Sequence, residues 1–322
     1  VRPVTSLSVV VPATDHPPTL PACLAAIAAS AEPPDEVIVV EEPSSLSACG
    51  ARNAGVARAS GEVVVFVDAD VEVHPDALGR VRAAFAADPT LTAVHGSYDD
   101  APRVRSTVSA FRNLLHHHVH QQAGGAAETF WTGLGAVRRR DFVAVGGFDG
   151  DRYPHPSIED IELGHRLLEA GGQLRLDPAI QGTHLKRWTL GSMLWTDFAR
   201  RAVPWVSLQV RTRRVTATLN MGWTHRISAL LCLLGPAVLL AGQPLVAAAA
   251  GGALVGANRR FYLLLLRQVG VVGALLGVGL HWLHHVVSVL AVPVGVAATL
   301  LPDRSASSHV VGAVPATDRA GS

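Results

Sequence analysis

Asp68 and Asp70 stand one residue apart at the end of the apolar run Val63-Val64-Val65-Phe66-Val67. A buried strand that opens onto two carboxylates presents oxygen ligands on one local surface, and hard divalent cations take oxygen. A cation held by so few protein groups keeps sites free for diphosphate oxygens, which suits cleavage of a nucleotide–sugar bond. A second acidic segment, Ser157-Ile158-Glu159-Asp160-Ile161-Glu162, precedes Arg166. Glu162 and Arg166 are four apart and can pair on one helix face. Ser157 and Asp160 have the spacing of a capping box with Asp in the place of Glu. A carboxylate at such a helix start is expected to have a lowered pKa. Arg52, in Ala51-Arg52-Asn53-Ala54-Gly55, is a candidate partner for phosphate. In Phe130-Trp131-Thr132-Gly133-Leu134-Gly135, Trp131 offers an apolar face to a sugar ring and the glycines allow close backbone approach. His116-His117-His118-Val119-His120 has the i,i+4 spacing of a metal box. Beside Leu114-Leu115 on an amphipathic helix, these histidines read instead as surface or membrane-facing.

The elements that must position these groups alternate. Apolar β-branched runs at Leu7–Val11, Glu36–Val40 and Val63–Val67 predict strands, with a shorter one at Ala93-Val94. Helices are expected over 21–31, where Pro21 suits a first turn, and over 47–59 and 75–87. Strands alternating with helices of this length predict parallel βαβ units in an α/β fold. Ligands of such sheets bind beyond the carboxyl ends of the strands. Pro12-Ala13-Thr14-Asp15, Glu41-Glu42 and Asp68-Ala69-Asp70 all fall at such ends.

In order and spacing, Val9-Val10-Val11-Pro12, Val39-Val40-Glu41-Glu42, Ala51-Arg52-Asn53-Ala54-Gly55 and Phe66-Val67-Asp68-Ala69-Asp70 resemble family-two glycosyltransferases, which have the GT-A fold. The resemblance continues through Gly133-x-Gly135-Ala136, Gly146-Gly147-Phe148-Asp149 and Glu159-Asp160, and covers roughly residues 5 to 205. It implies that Asp70 ligates Mg2+ or Mn2+ and that Asp68 reaches the metal or the ribose. Pro12, Thr14, Glu41, Arg52 and Asn53 fall in the donor nucleotide region. Asp160, with Glu159 beside it, takes the place of the general base of an inverting transferase. His184-Leu185-Lys186-Arg187-Trp188 resembles the Gln-x-x-Arg-Trp motif of membrane-bound synthases in the family, with His184 in the place of Gln. By that resemblance Arg187 holds the diphosphate, Trp188 stacks under a sugar or acceptor ring with Trp131 and Gly133 nearby, and His184 is a metal ligand. A juxtamembrane basic–aromatic patch is the other reading of the same residues. The family usually has Asp after the second strand, against the base; this chain has Glu41, with Pro43 where Gly is common.

Of the 322 residues, 49% are hydrophobic and 16% charged, with a mean hydropathy of +0.29. That composition is too apolar for an ordinary soluble protein and places part of the chain in lipid. A net charge of +1 gives no pull toward nucleic acid. Three scattered cysteines, Cys23, Cys49 and Cys232, read as reduced thiols. The N-terminal stretch lacks a signal-peptide pattern, so the first part of the chain is expected in the cytoplasm. Beyond Arg211-Thr212-Arg213-Arg214 the composition changes. Residues 227–257 are nearly uncharged, and Gly242-Gln243-Pro244 is expected to turn them into a hairpin, which returns Arg259, Arg260 and Arg267 to the cytoplasmic side. A third helix is expected over about 269–292. The domain reading is a GT-A catalytic domain over 1–205, a basic juxtamembrane linker over 206–226, two to three membrane helices over 227–301 and a disordered tail over 302–322.

These features favour an inverting, metal-dependent glycosyltransferase at the cytoplasmic membrane face. Its donor would be a UDP- or GDP-linked sugar and its acceptor a lipid-linked or lipophilic hydroxyl. The alternatives are a polyprenyl-phosphate glycosyltransferase and a non-catalytic membrane scaffold with a degenerate transferase fold. A sugar nucleotidyltransferase wants a Gly-rich loop after the first strand, which Pro12-Ala13-Thr14-Asp15 does not provide.

Overall fold

The computed structural model describes residues 5–214 and 222–300. The N-terminal part alternates as expected: β1 (Leu7–Pro12), α1 (Leu20–Ala28), β2 (Glu36–Val40), α2 (Ala48–Arg58), β3 (Val63–Val67), β4 (Val71–Val73), α3 (Ala77–Ala87) and β5 (Leu91–Tyr98). There follow α4 (Thr107–Gln122), β6 (Gly125–Ala126), β7 (Leu134–Arg138), α5 (Arg139–Ala144), α6 (Glu159–Glu169) and β8 (Gln173–His184). Pro21 sits in the first turn of α1. Ser47 caps α2 by accepting from the Gly50 N–H at 3.2 Å.

The eight strands form one mixed sheet in the order β2-β1-β3-β7-β5-β8-β4, with β6 on β8. β1 is parallel to β2 and β3, and β5 is parallel to β8, whereas β3–β7, β5–β7 and β4–β8 are antiparallel. The purely parallel expectation therefore holds for β1 to β3 and for the β5–β8 pair, but not for the sheet as a whole. Residue periodicity signals a strand but not its direction. β5 is also longer than the expected pair, because Thr92, His95 and Ser97 are buried polar members that break the apolar run.

Alternation along β3 divides the core between the two faces of the sheet. Val63, Val65 and Val67 join one cluster with α1 and α3. Val64 and Phe66 join the other with α2 and α6, where Phe66 meets the rings of Phe130, Phe142 and Phe148. Gly146 and Gly147, with φ of 83° and 68°, turn the chain after α5 in a conformation that other residues rarely adopt.

The C-terminal part is helical: α7 (Leu190–Trp195), a π-helical segment (Thr196–Ala202), α8 (Val203–Thr212), α9 (Trp223–Leu240), α10 (Pro244–Ala257) and α11 (Arg259–Ala298). The expected turn at Gly242-Gln243-Pro244 is present between α9 and α10, which pack on one another. The third helix starts ten residues earlier than expected, at Arg259, so Arg259, Arg260 and Arg267 are helical and not in a connecting loop. Apolar Phe261–Leu266 lies between these arginines, and Gly270, with φ 70°, breaks the helix beyond them. Trp223–Leu240 and Arg259–Ala298 are long and apolar enough to cross a membrane, and most of their apolar windows face outward. α11 packs on α4, α8 and the π-helical segment. Much of the expected 206–226 linker is α8 and the start of α9; its residues 215–221 and the expected tail lie outside the described residues. All three cysteines are free and buried.

Candidate active site

The carboxyl ends of β1, β2 and β3 share one edge, because the three strands are parallel. Pro12 and Thr14, Glu41, and Asp68 to Asp70 follow those ends in turn. Beside the third of them lies a cavity of about 400 Å3. It brings together Arg52, Asp68, Asp70, Trp131, Glu159 and Asp160 with His184 and Trp188.

Strand register places the first pair. β4 runs antiparallel to β8 with Val71 opposite His184, and the Leu185 N–H donates to the Asp70 carbonyl at 2.8 Å. His184 Nε2 thereby comes 3.6 Å from Asp70 Oδ2. Burial works against the Asp70 charge, yet the neighbouring His184 imidazole and the charge of Lys186 hold its carboxyl below the usual range. The His184 ring stacks on Tyr98 at 4.2 Å, which fixes its plane. A nitrogen and a carboxylate oxygen at this spacing fit two neighbouring positions around a Mn2+ or Mg2+ ion. Among the described residues no group of three or more His, Cys, Asp or Glu side chains is disposed to hold a metal.

Arg52 is 5% exposed, and its fork is divided between two acids: Nη2 to Asp68 Oδ1 at 2.8 Å and Nη1 to Glu159 Oε1 at 3.1 Å. The second Glu159 oxygen accepts from the Ser157 N–H at 2.7 Å. Asp160 lies one residue further along α6, half-buried at the cavity wall. Its carboxylate accepts from the Ile161 N–H at 2.8 Å and the Thr132 N–H at 3.3 Å. Burial, and then the charge of Glu159, push its pKa up to about 7, despite Arg52 and the two backbone donors. This reverses the expectation of a lowered pKa, since desolvation outweighs the helix start. The expected capping box is also absent: Ile158 occupies the N-cap, and the Ser157 hydroxyl donates to the Arg200 carbonyl at 2.6 Å. The expected Glu162–Arg166 pair is present and bidentate, with both bonds at 2.7 Å.

The remaining candidates divide. Trp131 and Trp188 line the cavity, and Gly133 holds Trp131 in place: a Cβ there would meet its ring at 2.2 Å. Arg187 is exposed and outside the cavity, whereas Lys186 lines it. Asn53 is turned to the chain at Phe148, donating to its carbonyl at 2.8 Å and accepting from its N–H at 2.9 Å. Pro12, Thr14 and Glu41 lie outside the cavity on the same sheet edge; the Thr14 hydroxyl donates to the Leu46 carbonyl at 3.1 Å.

The histidine helix departs from its surface reading. His120 is buried and its Nδ1 donates to the Gly96 carbonyl at 3.0 Å, and His116 packs on His120, Tyr98 and Trp131. His116 and His120 line the cavity because α11 covers the other flank of α4. The i,i+4 spacing carried this signal, since it sets two rings on one face. Tyr98, Arg112, Arg200 and Arg201 also line the cavity. No sequence pattern singled them out, because they come from a strand and helices far apart in the chain.

Residues 45–146 match the family described as Glycosyl transferase family 2. Over those residues, which include the acidic strand end, the chain is similar to family 2 glycosyltransferase domains, and the mixed sheet around them has the GT-A fold. Among known proteins it is similar to the pre-mycofactocin glycosyltransferases of two Mycobacterium tuberculosis strains, CDC 1551 / Oshkosh and ATCC 25618 / H37Rv. Each is 29% identical over 167 residues, covering 48% of this chain and 33% of the relative. The chain thus spans about a third of the length of these curated relatives. Its fold is similar to that of a mannosyltransferase from Pyrobaculum calidifontis solved with GDP-Man and Mn2+. The TM-score is 0.52 at 17% identity, over 92% of this chain and 87% of that one.

Proposed function

We propose that the chain is an inverting, metal-dependent glycosyltransferase that moves a sugar from a UDP- or GDP-linked donor to a hydroxyl of a lipid-linked or lipophilic acceptor. The observation that carries this reading is the meeting of Asp70 and His184 with Asp160 in one cavity. Asp70 and His184 would hold Mg2+ or Mn2+, which when bound supplies positive charge to the diphosphate oxygens. Lys186, also lining the cavity, adds a second positive charge near the same oxygens. Asp160 would take the proton from the acceptor hydroxyl as that oxygen attacks the anomeric carbon and the bond to the nucleoside diphosphate breaks. A carboxylate with a pKa near neutrality suits that task. Glu159, tied to Arg52, holds Asp160 in place. Trp131 and Trp188 offer apolar faces to sugar rings.

The outward apolar faces of Trp223–Leu240 and Arg259–Ala298 support placement at a membrane, and we assign the catalytic domain to the cytoplasmic side. A hydroxyl acceptor is favoured over a polyprenyl phosphate, because an ionised phosphate needs no base. The test is incubation of membranes containing the protein with a panel of UDP- and GDP-sugars and Mn2+ or Mg2+. Nucleoside diphosphate release is followed with and without lipid extract, and with pre-mycofactocin as a further acceptor. Release that depends on donor, metal and acceptor is expected; no release with any donor would refute the reading.

A further inference from the structure

A second cavity, of about 650 Å3, lies across α4 from the first. Leu115 and Val119 line both, whereas His118 and Gln122 face only the second. Arg259 and Arg260, at the start of α11, line it together with His118 and four histidines from α9 and α11, and among the described residues its lining contains no Asp or Glu. His285 is 1% exposed, and among the described residues neither of its ring nitrogens has a hydrogen-bond partner; the Nε2 of His284 is likewise unpartnered there. A buried imidazole without partners is costly unless something that enters the cavity supplies them. A metal ion is a poor candidate, since two guanidinium groups face the space and no group of three or more described ligand side chains converges. An oxyanion answers both features, because it is attracted by the arginines and carries acceptors for the imidazole N–H groups.

The surroundings select the carrier of that anion. The cavity lies where the catalytic domain meets α9 and α11, whose Leu230, Leu233, Leu263 and Leu266 are exposed. Basic pockets between membrane helices on the cytoplasmic side suit phosphate headgroups. We propose that this cavity binds the phosphate headgroup of an anionic membrane lipid, a seat distinct from the transfer site; the proposal rests on the membrane placement above. The seat is linked to the first cavity through one chain of contacts: His284 Nδ1 bonds Asp197 Oδ2 at 2.9 Å, and Asp197 pairs with Arg112 at 2.8 Å.

The full chain is reconstituted in phosphatidylcholine vesicles with or without a minor fraction of phosphatidic acid, and retained lipid is counted by native mass spectrometry after detergent extraction. Retention of phosphatidic acid over phosphatidylcholine by roughly tenfold or more is expected. The R259Q/R260Q double variant should lose that preference. H118L, which leaves formal charge unchanged, should weaken it as well. Equal retention of the two lipids, or an unchanged preference in the double variant or in H118L, overturns the proposal. Displacement of the lipid by inorganic phosphate alone at equal concentration would assign the cavity to a free anion and also overturn it. Nucleoside diphosphate release by the double variant is measured separately and should stay at the wild-type level, so the transferase reading is judged independently.

Discussion

Arg52 Nη2 donates to Asp68 Oδ1 at 2.8 Å while its Nη1 reaches Glu159. The arginine that sequence spacing offered to a phosphate is instead the buried tie between the strand end that carries Asp70 and the helix that carries Asp160. Its ring neighbour, Phe148, lies 5.6 Å from the guanidinium carbon and closes the inner side. Two acidic segments 90 residues apart in sequence are thereby held on one wall by one cation.

Breaking this tie should unfold more than it disables. In R52Q, Glu159 remains 5% exposed with its charge uncompensated. Removing one partner of a buried pair costs about 3–5 kcal/mol, and a loss in that range is expected from urea denaturation. R52K, which keeps the charge but not the fork, should fall between the two. Wild-type stability in R52Q would show that the tie is not structural.

Asp160 should tie activity and stability to pH in opposite directions. Its folded pKa is raised to about 7, so the folded chain holds this proton more tightly than the unfolded chain does. The stability it contributes is present at low pH and is lost as pH climbs from the ordinary carboxylate range through about 7. Transfer needs the ionised form and should rise over the same interval. D160N should keep nucleotide binding, lose roughly 100- to 10,000-fold in turnover, and gain stability relative to wild type as pH increases. Thermal melts across pH, beside single-turnover rates, check both; full turnover by D160N would remove Asp160 from the role of base.

The parts of this arrangement that could be read in advance are those set by local pattern. The unbroken apolar run Val63–Val67 marked a strand buried on both faces, and the acids after it marked the edge beside which the cavity lies. Strand direction was not legible, because antiparallel β7 and parallel β1 show the same residue period. Nor was the facing of α4: His116 and His120 point inward only because α11, more than a hundred residues later, covers the opposite flank. The exchange of Arg187 for Lys186 at the cavity is a matter of one position beyond the end of β8, which only the Val71–His184 register decides.

The Asp70–His184 pair predicts a metal requirement with a transition-metal preference, since an imidazole ligand suits Mn2+ better than Mg2+. Chelation should abolish nucleoside diphosphate release, and Mn2+ should restore it at lower concentration than Mg2+. H184A should weaken the Mn2+ response by at least the roughly 10–100-fold that loss of an outer-shell partner causes and shift the preference toward Mg2+. An unchanged metal titration in H184A would exclude His184 as a ligand.

Gly133 controls the position of Trp131. A Cβ at residue 133 would approach the indole to 2.2 Å, and the ring is already held by Tyr98 and His116 at 4.9 and 4.5 Å. G133A should therefore swing Trp131 out of the cavity. The expected result is a shifted tryptophan emission and a raised acceptor KM, with an unaltered metal titration. An unchanged KM would show that Trp131 does not contact the acceptor.

Asp197 should be the weak point of the junction between the α/β part of the chain and the C-terminal helices. It is 3% exposed, and it meets Arg112 of α4 on one side and His284 of α11 on the other. Burial opposes its charge, yet Arg112 and His284 hold its pKa well below the usual carboxylate range. Its contribution is thus fully present at neutral pH and lost only as strong acid protonates it. In D197A, Arg112 stays 8% exposed without its partner, and about 3–5 kcal/mol should be lost. Hydrogen exchange should locate that loss in α4, the π-helical segment and the part of α11 around His284, while β1 to β3 stay protected. Uniform deprotection of the sheet would show instead that the two parts unfold together.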